Sequence, residues 1–86
     1  MAYKAIWHEE SLKDLKKFDR TIAKKIVEKV KNYLIQDPLK LGIPLKGNLK
    51  GLYRYRVGEY RVIYVIDKEE KKVIILKINH RKKIYK

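Results

Sequence analysis

The most restrictive feature of the chain is residues 53–61, in which tyrosine and valine alternate with arginine up to a glycine. Alternation with period two is typical of a β-strand with one buried face, because successive side chains of an extended chain point to opposite sides. Gly58-Glu59 places glycine first, as a type II′ two-residue turn requires, and a second β-rich run starts at Tyr60. The stretch therefore predicts a β-hairpin.

The predicted hairpin also fixes which residues face each other. With a two-residue loop, Arg56 lies opposite Arg61, and both guanidiniums share one face with Arg54. Like charges placed directly opposite each other destabilise a sheet, so we expect a reason outside folding for this pair. An anion bound between the two side chains supplies one, and phosphate matches the planar guanidinium fork well.

Composition bounds the remaining possibilities. Eighty-six residues, 45% of them hydrophobic, predict one globular domain spanning 1–86. With no cysteine and two histidines, we expect neither disulfides nor a metal site, and no sequence motif calls for a cofactor. There is no apolar run of membrane-spanning length and no secretory signal, so we expect a cytoplasmic protein without a membrane partner.

The charge of the chain favours a polyanionic partner. The net charge is +13, and residues 46–86 hold 13 basic against 4 acidic residues, which is +9 of that total. Such a field attracts nucleic acid most simply, although an acidic protein would be attracted as well. Walker-type and dinucleotide-type glycine loops, paired carboxylates and His-x-x-x-His spacing are absent from the sequence.

The rest of the chain predicts an α+β fold. A short strand over residues 3–7 precedes two helices, and the second helix carries the apolar stripe Ile22, Ile26, Val27, Val30 and Leu34. Residues 37–51, with both prolines and three glycines, are interpreted as a structured connection without a further element. Strands over 53–57, 60–66 and 73–78 then form an antiparallel meander, with the helices packed on one face of the sheet.

The predicted strands and the basic terminus indicate candidate RNA-binding residues. Strict alternation along the last strand puts Val73, Ile75, Lys77, Asn79 and Arg81 on one face and Ile74, Leu76, Ile78 and His80 on the other. The basic terminus with one aromatic ring, Tyr85, is typical of single-stranded RNA binding, and a frayed charged tail is the alternative interpretation, which composition alone favours for Tyr85 and Lys86. The candidate RNA-binding residues are Lys46, Lys50, Lys77, Lys82 and Lys83.

Three motifs stand out around the hairpin: Leu45-Lys46-Gly47, then Gly51-Leu52-Tyr53-Arg54-Tyr55-Arg56 with Tyr60-Arg61-Val62-Ile63-Tyr64, and finally Asn79-His80-Arg81 with Tyr85. Together they resemble the RelE/ParE toxin superfamily, and the strand–helix–helix–three-strand order is similar to the RelE-like fold. By this resemblance the chain is identified as a RelE-type toxin of a type II toxin–antitoxin system. The resemblance implies a ribosome-dependent, metal-independent endoribonuclease that cleaves messenger RNA in the A site and inhibits translation.

The resemblance also implies the roles of individual residues. In RelE-type enzymes the positions that correspond to Arg54, Arg56, Arg61, Arg81 and Tyr85 serve the attack of a ribose 2′-hydroxyl on the phosphodiester. Arginine stays protonated in proteins, so none of the arginines acts as the general base. Tyr85 is one candidate for proton transfer if surrounding cations lower its pKa, and His80 is the other because of its intrinsic pKa. For His80, packing on the core side of the sheet is the alternative interpretation.

Two further functions and a partner remain as expectations. The ParE branch of the superfamily inhibits DNA gyrase, and a non-catalytic RNA- or ribosome-binding module would need charge alone. For a RelE-type toxin we expect messenger RNA and the ribosome as partners. We also expect an acidic, partly helical RelB-type antitoxin, which forms a heterotetramer with the toxin.

Overall fold

The computed structural model describes residues 2–80. Its elements, in chain order, are β1 (Lys4–Trp7), α1 (Glu9–Lys17), α2 (Arg20–Asn32), α3 (Pro38–Leu41), β2 (Ile43–Pro44), β3 (Tyr53–Val57), β4 (Tyr60–Asp67) and β5 (Lys72–His80), with single 3₁₀ turns at Leu34–Gln36 and Gly47–Leu49. Within residues 2–80 no helix has the length and apolar character needed to cross a membrane.

One five-stranded sheet organises these elements, in the order β1-β5-β4-β3-β2. The strand β1 runs parallel to β5, and the other neighbours are antiparallel. The sequence prediction of an α+β fold, with one strand, two helices and a three-strand meander, is thereby confirmed. The predicted hairpin is confirmed with its register, since Arg56 pairs with Arg61 and Val57 pairs with Tyr60.

The core lies between one face of the sheet and the helices. Its helical side comes from α2 and the following turn, where Ile26, Val30 and Leu34 are buried as the predicted apolar stripe requires. Its sheet side is built from alternate residues of β3, β4 and β5, which include Val57, Val62, Tyr64, Val73, Ile75 and Ile78. The tyrosines of the hairpin pack on this side, which leaves the opposite side of the sheet to the arginines.

Helix α1 is capped at its first turn and is hydrogen-bonded to the sheet through Asp14. The His8 imidazole accepts a hydrogen bond from the Glu10 N–H, which satisfies one donor of the first turn, and the Ser11 hydroxyl donates to the His8 carbonyl at 2.6 Å. The Asp14 carboxylate accepts from the Ile78 N–H at 2.8 Å, beyond the point where β1 ends. This contact satisfies a donor on the part of β5 that β1 does not cover.

The prediction that residues 37–51 contain no further element is wrong. They form α3, the two-residue strand β2 and a 3₁₀ turn, and β2 extends the sheet beyond β3. The segment is tied down by the Tyr64 hydroxyl, which donates to the Pro38 carbonyl at 2.8 Å. Burial raises the pKa of Tyr64 above its ordinary value, so this hydroxyl remains a donor.

The strict alternation predicted for β5 is also wrong, because the strand contains an irregularity. The register between β4 and β5 shifts at Ile63 and Tyr64. Ile63 pairs with Lys77, and Tyr64 pairs with Ile75, so Leu76 of β5 has no paired residue on β4. A bulge of one residue exchanges the two faces of a strand. Val73 and Ile75 therefore share the core face with Ile78 and His80, while Lys77 and Asn79 lie on the opposite face.

We predict that Gly42→Ala destabilises the protein. A Cβ at this position would overlap the Tyr64 hydroxyl and crowd its ring, so the tie between Tyr64 and Pro38 would have to shift. Overpacking of this kind costs about 1–3 kcal/mol. Thermal unfolding should show a lower Tm than the parent, by roughly 4–8 °C for each kcal/mol. Lys40→Ala, an exposed neighbour on α3, is the control, and equal Tm values for Gly42→Ala and the control would contradict the account.

Candidate functional site

Three arginines lie together on the side of the sheet that faces away from α1 and α2, here called the open face. Arg56 of β3 pairs with Arg61 of β4, and Arg54 is the next residue of β3 on that face. Directly opposed residues have Cβ atoms about 4.5–5.5 Å apart, and the diagonal pair Arg54 and Arg61 is separated by about 7–8 Å. Arg54, Arg56 and Arg61 are called the arginine cluster.

No carboxylate of residues 2–80 forms an ion pair within 4.0 Å with an arginine of the cluster. The ion pair found within 4.0 Å among residues 2–80 joins Lys72 to Glu70 at 3.7 Å, and it involves none of the three arginines. The Arg56 Nε donates to the Gly58 carbonyl at 3.1 Å, which steadies one guanidinium with a neutral partner. The cluster is therefore a concentrated positive charge available to an anion.

A shallow cavity of about 230 Å³ opens at the cluster. It is lined by Leu41, Ile43, Arg54, Tyr55, Arg56 and Arg61. Tyr55 borders the cavity from β3, but its ring packs on the helix side of the sheet, where burial and the proximity of Tyr33 raise the pKa of the phenol. Among residues 2–80, the lining contains no carboxylate and no imidazole. This described part of the lining suits binding of a phosphate group and stabilisation of negative charge, and it contributes no general base.

A second depression, the leucine groove, lies on the open face beside the first and has a volume of about 510 Å³. It is lined by Leu45, Lys46, Asn48, Leu49, Leu52, Ile63, Leu76 and Lys77. The segment between β2 and β3 covers this part of the sheet, since Ile63 is only 3% exposed. Lys46 and Lys77 are exposed at the groove, and Lys50 is exposed on the same segment.

Two consecutive residues at the end of β5 lie on opposite faces. Asn79 pairs with Arg61 and shares the open face, next to the arginine cluster. His80 pairs with Tyr60 on the helix side, where the two rings meet edge to face at 5.0 Å and Tyr60 contacts Phe18 at 4.7 Å. The structure therefore does not bring His80 together with the arginines, in keeping with the core-side interpretation.

Of the predicted site residues, the structure brings Arg54, Arg56 and Arg61 together and places Lys46 and Lys77 beside them. The predictions for Arg81, Lys82, Lys83 and Tyr85 lie outside the described residues. Within residues 2–80 no group of three or more histidine, aspartate or glutamate side chains converges in the way a metal ion requires.

Sequence reasoning missed three neighbours of the arginine cluster: Leu41, Ile43 and Asn79. The first two lie in the segment interpreted as a connection, and a two-residue strand gives no periodic signal in a sequence. The pairing of Asn79 with Arg61 depends on the register of β4 and β5, which includes the bulge. The sequence Asn79-His80-Arg81 was recognised as a motif, but the pairing of Asn79 with Arg61 was not predicted.

Comparison with known proteins shows the family of the chain. A family model described as the ParE toxin of the type II toxin–antitoxin system, parDE, matches residues 5–85. Toxin RelG of Mycobacterium tuberculosis is 36% identical over 86 residues, which are 100% of this chain and 99% of the relative. Toxin RelE of the same organism is 39% identical over 74 residues, 86% of this chain and 76% of the relative.

Solved structures lead to the same family. A chain of the toxin–antitoxin complex RelBE2 of Mycobacterium tuberculosis superposes with a TM-score of 0.91 and 34% identity, covering 94% of this chain and 93% of that one. A chain of the archaeal RelE–RelB complex of Pyrococcus horikoshii gives a TM-score of 0.74 and 28% identity, covering 98% and 100%. The family model over nearly the whole chain and the full-length relative establish that this chain belongs to the RelE/ParE family of toxins of type II toxin–antitoxin systems.

Proposed function

We propose that the protein is an endoribonuclease that cleaves messenger RNA in the ribosomal A site and thereby inhibits translation. The observation that carries the proposal is the arginine cluster, in which Arg56 and Arg61 face each other without a compensating carboxylate in residues 2–80. Two curated relatives are named toxin RelG and toxin RelE, and the first aligns over the whole chain.

Cleavage by attack of a ribose 2′-hydroxyl requires removal of the hydroxyl proton, stabilisation of the charged phosphorane, and donation of a proton to the departing 5′-oxygen. The arginine cluster suits the second task, because fixed guanidiniums favour the more highly charged transition state. In this proposal Arg61, which lies between Arg56 on β3 and Asn79 on β5, holds the scissile phosphate. Arg54 and Arg56 hold the backbone beside it.

The proton transfers fall to other groups. The described residues that line the cavity at the arginine cluster include no carboxylate and no imidazole, and the Tyr55 ring packs on the helix side of the sheet. We propose Tyr85 for one transfer and Arg81 as a further stabiliser of the phosphorane, with ribosomal groups completing the set. In-line placement of the 2′-hydroxyl contributes to the rate in addition. The position of His80 against Tyr60, on the helix side, argues against it as the base.

Other parts of the open face would guide the RNA. Lys46 and Lys77 stand at the leucine groove, and Lys50 lies on the same segment. Together with Lys82 and Lys83 they would contact phosphates on either side of the scissile bond, which adds affinity without reading sequence.

The partner in this proposal is an acidic, partly helical antitoxin that covers the basic surface. Chains in the solved complexes named RelBE2 and RelE–RelB share this fold. A net charge of +13 favours an acidic partner, and a heterotetramer of two toxins and two antitoxins is the proposed assembly.

A ParE-type action on DNA gyrase is the second candidate, because the matching family model carries the ParE description. Inhibition of supercoiling by the purified protein would favour it. In that case the arginine cluster would contact gyrase or its DNA and would have no role in cleavage. A ribosome-binding module without catalysis is separated from both by whether bound messenger RNA is cut.

We predict that Arg61→Ala abolishes most cleavage while ribosome binding changes little. Loss of a positioned donor to the developing charge costs on the order of 10²-fold in rate. Primer extension on translated messenger RNA measures cleavage, and co-sedimentation with ribosomes measures binding. Arg61→Lys retains the positive charge but loses the bidentate guanidinium, so its cleavage rate should lie between those of the parent and Arg61→Ala. Lys24→Ala, exposed on α2, should match the parent. Equal losses of cleavage and binding in Arg61→Ala would contradict a catalytic role.

We predict that Arg56→Glu makes the protein more stable and a weaker RNA binder. The substitution converts the repulsive pair with Arg61 into an attractive one, which contributes about 0.5–1 kcal/mol at low salt. Denaturant unfolding at two salt concentrations measures this, and the gain should shrink at high salt because exposed charges are screened. Lys77→Glu is the matched control, since Lys77 faces Ile63. An Arg56→Glu variant that is no more stable than the parent at low salt would contradict the account.

A further inference from the structure

Two exposed aliphatic side chains, Leu41 and Ile43, adjoin the arginine cluster. Leu41 is 45% and Ile43 is 54% exposed, and both line the cavity that holds the three guanidiniums. Ile43 pairs with Arg54 across the β2–β3 register, so the two side chains rise from the same face about 4.5–5.5 Å apart at Cβ. The cavity thus has one cationic wall and one apolar wall.

This apolar wall is held rigidly. Leu41 and Ile43 flank Gly42, whose backbone lies against the Tyr64 hydroxyl closely enough to leave no room for a Cβ. The same hydroxyl donates to the Pro38 carbonyl, at the start of the helix that ends with Leu41. Tyr64 is fully buried in the core, so the apolar wall is anchored to a core residue.

We propose that Leu41 and Ile43 form a subsite for one unpaired nucleobase of the RNA whose phosphate lies on the arginine cluster. This inference rests on the proposed function and specifies its substrate as single-stranded at this nucleotide. A base is joined to its phosphate through a single ribose, so a phosphate on Arg54 and Arg61 brings the attached base within reach of the neighbouring strand. A base in a duplex would have its faces covered by stacking and could not pack there.

The dimensions and chemistry of the cavity favour a nucleobase over a peptide. Its volume of about 230 Å³ is below the range of ordinary small-molecule pockets, so it admits one small group. Strand addition by a peptide at β2 is disfavoured because Pro44 has no N–H to offer at this edge. The two aliphatic side chains provide contact area without hydrogen bonds. The subsite therefore distinguishes bases by the area of their faces, with purine preferred to pyrimidine and an abasic nucleotide bound worst.

The test measures the affinity of short single-stranded RNAs for the intact protein by fluorescence anisotropy. Each heptanucleotide carries 2′-O-methyl groups to prevent cleavage and one abasic nucleotide, which is moved through the seven positions. For the parent protein, one abasic position should weaken binding about fivefold, at the low end of the effect of stacking on an aromatic ring. Leu41→Ser and Ile43→Ser should remove this difference. Leu39→Ser is the matched control, because Leu39 is 44% exposed on the same helix and does not line the cavity.

Each outcome is decisive. The proposal is overturned if no abasic position matters in the parent, or if Leu41→Ser and Ile43→Ser behave as Leu39→Ser does. It is overturned as well if the serine variants keep base discrimination but lose affinity for an acidic antitoxin peptide, which would make the wall a protein-binding surface. Base discrimination without any cleavage of messenger RNA on ribosomes would leave the subsite in place and would refute the proposed enzymatic function instead.

Discussion

The burial of one face of the sheet under the helices is the constraint that places Arg56 opposite Arg61, and the rest of the site follows from it. Two guanidiniums directly opposed across an antiparallel pair destabilise the hairpin, and Arg54 adds a third charge on the same face. The sheet tolerates these three charges because its other face is buried against the helices and stabilises the fold. Val57, Val62 and Tyr64 and their neighbours are packed under the helices, and this burial fixes the register that forces the arginines together.

The apolar core therefore determines where the charges lie. A slip of one residue in β3 would bring the tyrosines to the open face and the arginines into the core, which the cost of burying charge prevents. The hydrogen bond from Tyr64 to the Pro38 carbonyl extends the same control to β2, which has only two residues and would otherwise be a weak edge strand. The cationic wall and the apolar wall of the cavity are both held in place from the interior.

The sequence alone predicted the parts of this arrangement that have a strong local period. The alternation in 53–57 and the Gly58-Glu59 turn were sufficient to obtain the register and the common face of the three arginines. The segment 37–51 was misinterpreted because prolines and glycines are turn signals, whereas its pairing with β3 and its tie to Tyr64 are long-range contacts. The bulge at Leu76 was missed for a similar reason, since a register shift depends on the partner strand.

The most direct test of the central claim is the salt dependence of RNA affinity. For single strands, the logarithm of the binding constant falls with the logarithm of salt concentration, with a slope of about −0.7 for each phosphate neutralised. Replacing Arg54, Arg56 and Arg61 together by glutamine should reduce the steepness of this slope by about 2. Replacing Lys13, Lys24 and Lys25, which are exposed on the helices, should change it much less. Equal changes in the two triple variants would show that the RNA responds to total charge alone, and would contradict the account.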